Sequence, residues 1–315
     1  MRLAAALLVA SVWPVLAEGP GGTPELKVES EQVDISPYRL QGLRLRGTVS
    51  LAADHAQFGG FSGLLMNGPR LIAVTDKGWW LLSELADGPD GLQPGRSGFA
   101  PMLDQDGAPF ESSGSDAEGL TVRDGLLVVS FERDDRIMFH VEEGRLGDAL
   151  RARAFERLGY NKGIEALATT PDGWLIGIVE KPRSGQHPVF LVRYSGEVEE
   201  HGLPEIAPFH VTGADVGPDG RLYVLRRYYS QLLGVSMRIH RYDLTEDGLP
   251  VAQSAVEMAA FESESGIDNM EGIALWQDDR EDMRLALISD DNFNGFQRTL
   301  LMDFAVLAER VLQSE

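Results

Sequence analysis

The chain has 315 residues, 43% of them hydrophobic, which suits one large all-β domain or two smaller ones and argues against wholesale disorder. Its formal net charge of −21 repels phosphate backbones and anionic lipid, so nucleic acid and acidic membranes are poor partners. The absence of cysteine excludes disulfides and thiolate chemistry.

At the N-terminus, Arg2 precedes the apolar run LAAALLVASVWPVLA, and Val15-Leu16-Ala17 offers a signal-peptidase site. Cleavage after Ala17 is expected, which leaves residues 18–315 as a single domain. The run is too short for a comfortable membrane span, although a tethering helix is the alternative reading. Export without cysteine fits a bacterial periplasm or secretion, with no stable membrane insertion once the signal is removed. A monomer acting on a small, anionic molecule is expected.

Residues 25–53 then supply two strand-like stretches, ELKVES and GLRLRGTVSLAA. The first recurring unit follows: FSGLLMNGPRLIAVTDK, with Ser62 at its start, a turn at Asn67-Gly68 and Asp76 at its end. The segment from Leu85 to Ser115 holds the outer strands of that unit and a long loop, in which the DQDG of 104–107 reads as a turn. AEGLTVRDGLLVVSFER comes next, from Glu118 to Glu132, and then GIEALATTPDGWLIGIVEK, from Glu165 to Glu180. GADVGPDGRLYVLRR places Asp215 before its turn and Arg226-Arg227 after it. The last copy, MEGIALWQDDREDMRLALISDD, runs from Glu271 to Asp290-Asp291, and a final strand candidate, RTLLMDFAV, follows.

The copies open at 62, 118, 165, 215 and 271, so they lie 56, 47, 50 and 56 residues apart. Each is a pair of short apolar runs around an Asp-, Asn- and Gly-rich turn, which is hairpin chemistry. IMFHVE, PVFLVRYS and MRIHRYDL add third strands. A repeat of this length with four strands is a propeller blade. The fold class is therefore all-β, a single β-propeller. We expect six four-stranded blades, with five and seven open, closed by pairing N- and C-terminal strands so that no edge is exposed.

In an antiparallel hairpin the start of the first strand and the end of the second share one edge. If these are inner strands, Asp76, Glu118, Glu132, Glu165, Glu180, Asp215, Glu271 and Asp290 ring a central opening. Two carboxylates 5 Å apart repel by about 3 kcal/mol at an effective dielectric near 20. Protonation, pairing with bases or a hard divalent cation can each relieve that repulsion. All-oxygen donors point to calcium, less to magnesium, and not to zinc, since the six histidines show no ligand spacing. No motif asks for an organic cofactor. Lys77, Arg133, Lys181 and Arg227 each follow the end of a second strand, and strand alternation aims them away from the acids. Arg226 stands where sibling copies carry an acid, facing the ring. Lys77, Lys181, Arg226 and Arg227 are thus the candidate anion-binding residues. Ser62 lacks both a nucleophile elbow and a paired histidine.

Five motifs in order, FGGFSGL with TDKG, DAEGL to VSFE, NKGIEALA to VEK, GADVGPDGRLYVL, and NMEGIAL through LISDDNFNGFQRTLLMDF, resemble the family described as esterase-like activity of phytase. The resemblance covers roughly residues 58–308, and it implies an exported propeller with an acidic, metal-binding centre and phosphoesterase or esterase activity. The chain departs from the family at Arg226, where the family repeats Glu before Arg. In the enzyme reading, calcium held by the ring polarises an ester oxygen and Glu165 or Glu118 takes a proton from water. A gluconolactonase-type lactonase and a non-catalytic ligand-binding propeller are the alternatives.

Overall fold

The computed structural model describes residues 24–110, 114–142, 145–158, 163–232 and 234–307; the expected export signal, residues 1–17, lies outside them. Five antiparallel sheets are arranged as blades, and the described residues contain no α-helix, only short 3-10 turns. Blade one runs from axis to rim through Phe61–Asn67, Arg70–Thr75, Trp79–Gly88 and Gly91–Pro101. Blade two is Ala117–Arg123, Leu126–Phe131, Arg136–Glu142 and Arg145–Leu150, and blade three is Ile164–Thr169, Leu175–Val179, Gln186–Val192 and Val198–Pro204. Blade four is His210–Val216, Leu222–Ser230, Gly234–Tyr242 and Val256–Phe261, extended at its edge by Arg39–Leu40. Blade five is Asn269–Gln277, Met283–Asp290, Thr299–Val306 and Leu43–Ala53, with Val28–Gln32 as a fifth strand. The first strands of all five touch one another in a closed ring.

The expectation of six blades is therefore corrected to five. The N-terminal strands lack the turn-linked inner pair and cannot start a blade of their own. Leu43–Ala53 instead pairs with Thr299–Val306 and completes the last blade, so closure joins the two ends of the sequence as expected. Sheet edges left unpaired are the hazard this arrangement removes.

The core is divided among the five blade interfaces, one apolar cluster to each. Successive side chains of a strand point to opposite faces. Leu127 and Val129 therefore pack toward blade one while Val128 packs toward blade three. Burial on both faces is why the second strands read as unbroken apolar runs. Trp79 and Trp80 serve this packing too, Trp79 stacked on Phe99 and Trp80 almost wholly buried.

Near the axis each first strand carries a β-bulge. The ladder skips Ser62, Glu165, Thr212 and Glu271, and in blade two it skips Glu118-Gly119. The residue after each bulged side chain is Gly63, Gly119, Ala166, Gly213 or Gly272. A methyl group on any of the four glycines would come within 3.0 Å of the neighbouring inner strand. Small residues there let the inner strands close around a narrow axis, and the bulges re-aim the preceding side chains.

An ion cluster fastens the closing strand on the opposite side. Arg284 donates to buried Asp303 through Nη2 (2.6 Å) and Nε (3.1 Å) and reaches Asp87 of blade one at 3.1 Å. Arg46, on the closing strand, contacts Asp87 at 3.0 Å and Asp303 at 3.7 Å. Removing one partner of a buried pair leaves an uncompensated charge. We expect Arg284→Met to cost about 3–5 kcal/mol in urea unfolding, and Arg284→Met combined with Asp303→Leu to recover much of that loss.

Candidate active site

Aligning the blades on their bulges defines the ring residue by residue. The bulge position holds Ser62, Glu118, Glu165, Thr212 and Glu271. The second-strand position one beyond the partner of the residue that precedes each bulge holds Asp76, Glu132, Glu180, Arg227 and Asp290. Seven of the eight expected acids thus meet at one mouth of the axis. Ser62, Glu165 and Glu271 also line the axial opening, with Gly63, Gly119 and Gly213.

Two expected ring members lie elsewhere. Asp215 sits three residues beyond the bulge, on the other side of the inner strand's small residue, where its oxygens accept the N–H groups of Val216 (2.8 Å) and Leu275 (2.7 Å). It ties blade four to blade five. Arg226 pairs with Val211 in the ladder, is fully buried between blades three and four, and does not face the ring. Arg227 takes the ring place, contacting Glu271 at 3.3 Å and Glu180 at 3.9 Å.

Lys77, Arg133 and Lys181 do not turn away from the acids as strand alternation suggests, because their strands have ended and the chain bends there, whereas Arg227 lies within Leu222–Ser230. Lys77 pairs with Asp76 at 3.1 Å and Lys181 with Glu180 at 2.9 Å. Arg133 pairs with Asp116 at 2.9 Å. Asp116 was not singled out in the sequence, yet it is buried and stands two residues before the bulge. His210 and Asn269 hold the same position in blades four and five. His210 Nδ1 lies 3.7 Å from Glu180, and Asn269 Nδ2 donates to Glu271 (2.9 Å) and Asp290 (3.3 Å).

Within the ring, Asp116, Glu118 and Glu132 bring one oxygen each within 4.8 Å of one another. Gly163 donates its N–H to Glu132 Oε1 at 3.1 Å, and a Cβ there would strike the Glu132 side chain at 2.7 Å. Asp76 Oδ1, also buried, has no hydrogen-bond partner among the described residues. These oxygen donors, close together and backed by a cradle that a Cβ would fill, fit a hard divalent cation. Glu118 and Glu165 are hydrogen-bond neighbours, and the Lys181 ammonium, paired with Glu180, acts on Glu165 from a distance.

Burial, reinforced by neighbouring charges, holds both carboxyls well above the usual range; the leading neighbour is Glu165 for Glu118 and Glu180 for Glu165. Burial also pushes Glu271 up to about 7 against the pull of Arg227. Asp116 rises to about 6 against Arg133, and Asp290 to about 6. Away from the ring, burial lifts Asp215 to about 7. Perturbed groups of this kind cluster where a site is built.

The model of one protein family, Phytase-like (esterase-like activity of phytase), matches residues 56–293. Curated proteins show no match. Among solved structures, a gluconolactonase from Xanthomonas campestris is 13% identical, covering 89% of this chain and 97% of that one at a TM-score of 0.45. A protein of unknown function from Dyadobacter fermentans is 15% identical, covering 91% of this chain and 78% of that one at a TM-score of 0.42. Likeness at this level carries nothing about chemistry.

A carboxyl whose folded pKa lies above its unfolded value favours the fold fully below the unfolded value, and that advantage is lost as pH rises through the folded one. With Asp116 and Asp290 near 6 and Glu271 and Asp215 near 7, the window is pH 4–7. In chelator, calorimetry should show the melting temperature falling by roughly 5 °C between pH 5 and pH 8. Asp215→Asn should flatten part of that slope, and added calcium should restore stability at pH 8.

Proposed function

The chain belongs to the phytase-like family, and on that premise we propose that it is an exported hydrolase whose axial mouth cleaves a small anionic ester, phosphoryl or acyl, with the help of a calcium-type divalent cation. The observation that carries this reading is the grouping of Asp116, Glu118 and Glu132 beside Glu165, a buried carboxyl in hydrogen-bond reach of Glu118. Asp116, Glu118 and Glu132 would hold the cation. Glu118 thereby moves from the catalytic pair to the holding set, and Glu165 is left as the base. Asp76, Glu180, Glu271 and Asp290 are already engaged by Lys77, Lys181, Arg227 and Asn269, and they shape the field around that centre. When bound there, such a cation would supply Lewis acidity toward an ester oxygen and water.

The protein's own groups do the rest. Glu165, its proton affinity raised by burial and by Glu180, accepts a proton from the attacking water. The new bond forms from that water oxygen to the phosphorus or acyl carbon, and the ester oxygen departs with the proton returned by the Glu165 carboxyl. Arg227, whose Nη2 stands at the mouth beside Glu271 and Glu180, would receive the anionic part of the substrate. Lys77 and Lys181 add positive charge at the same rim, where Lys77 lies over the Phe293 ring at 5.2 Å.

Hydrolysis of p-nitrophenyl phosphate, p-nitrophenyl butyrate and a simple lactone, each with and without chelator, tests the reading. Chelator should abolish turnover of one of the two esters. Glu165→Gln should lower kcat by roughly 10²–10⁴-fold while calcium binding persists in calorimetry, whereas Glu118→Gln should lose the calcium itself. Absence of turnover on all three substrates favours a binding propeller, and turnover confined to the lactone favours a lactonase.

A further inference from the structure

A second charged centre lies away from the mouth, in the wall between blades three and four. The ladder position of Arg226 is occupied by Phe131 in blade two and by Val179 in blade three, both packed in apolar interfaces. Blade four puts a guanidinium there with none of its surface exposed. Its Nη2 donates to the Tyr242 hydroxyl at 2.9 Å, and its Nε and Nη1 have no partner among the described residues. Guanidinium stays protonated even in such surroundings, so the charge itself must be answered.

The Tyr242 ring, 5.5 Å from the guanidinium carbon, answers it only in part, and the neighbouring histidines do not. His187 of blade three and His240 of blade four are buried and close enough to feel the guanidinium. Burial, with a further push from Arg226, holds His187 down at about 4 and His240 at about 3, so both rings are neutral near pH 7. His187 uses Nδ1 on the Val179 carbonyl at 3.0 Å, whereas His240 Nδ1 has no partner among the described residues. Glu257 comes to 4.0 Å from His240 Nε2, but Arg39 (3.1 Å) and Arg238 (3.6 Å) already share it. Among the described residues no carboxylate acts on Arg226. The cluster therefore carries one positive charge without a counter-ion, no exposed side, and four nitrogens without partners among the described residues: Nε and Nη1 of Arg226, Nδ1 of His240 and Nε2 of His187.

We propose that the interface between blades three and four holds one small monovalent anion of the halide class, against Nε and Nη1 of Arg226 and Nδ1–H of His240. A single negative charge balances the cluster. Enclosure selects a monatomic ion over an oxyanion or a carboxylate. A water molecule would fill donor sites but would leave the charge standing.

Chloride alone is the probe. Melting of the chelated, full-length protein is compared in chloride and in gluconate at equal ionic strength, which gluconate, as a large polyhydroxy anion, enters on equal terms except at an enclosed site. Non-specific salt effects favour the more strongly excluded gluconate, so a higher melting temperature in chloride reports binding. We expect chloride on the order of 100 mM to raise the melting temperature by roughly 3 °C, and Arg226→Met to erase the difference. Crystals grown in bromide should show an anomalous peak beside Arg226, a readout that needs no variant. Equal melting in the two salts, or a bromide map without that peak, overturns the proposal and leaves water as the occupant.

Discussion

Close approach of five inner strands is the constraint from which the other features follow. Around a narrow axis the strands touch where Gly63, Gly119, Ala166, Gly213 and Gly272 stand, and larger side chains would push them apart. The bulge just before each small residue turns Ser62, Glu118, Glu165, Thr212 and Glu271 out of the regular pleat. A packing requirement of the backbone thus fixes where the acids go. The mouth is crowded because the axis is tight.

That crowding is relieved unevenly. Around most of the ring, bases do the work: Lys77 on Asp76, Arg133 on Asp116, Lys181 on Glu180 and Arg227 on Glu271. Between blades two and three the remedy is weaker, since Lys181 is paired with Glu180 and reaches Glu165 only from a distance, and Glu118 and Glu165 keep raised proton affinity. An alternating charged rim with one weakly compensated acidic sector has a direction built into it. A cation is drawn to that sector, while an anionic group is drawn to the sector of Arg227.

Much of this was legible in the sequence, and what was not has definite causes. The hairpin repeat, the closure by distant strands and most of the ring follow from turn chemistry and apolar runs. Blade count did not follow, because a strand's sequence does not say which sheet edge it joins, and Leu43–Ala53 completes blade five instead of opening a sixth. Register in blade four slipped because Asp215 was the acid nearest its turn. Counting back from Pro218-Asp219-Gly220, as from Pro171-Asp172-Gly173, reaches Thr212 and not Asp215, and counting forward reaches Arg227 and not Arg226. Since strand side chains alternate, a shift of one residue moved Arg226 from a rim to an interior. Asp116 escaped notice for a simpler reason: only the bulge alignment shows that Asp116, His210 and Asn269 share a position.

The strand Leu43–Ala53 lies beside Thr299–Val306 although some 250 residues separate them in the chain. No stretch emerging from a ribosome can finish blade five until that late partner arrives. Blades one to four can be assembled in order while the ring stays open, and a single docking event then seals it. Loop-closure entropy must be overcome before that contact rewards the chain, so the annealing of Leu43–Ala53 to Thr299–Val306 is the natural slow step of folding.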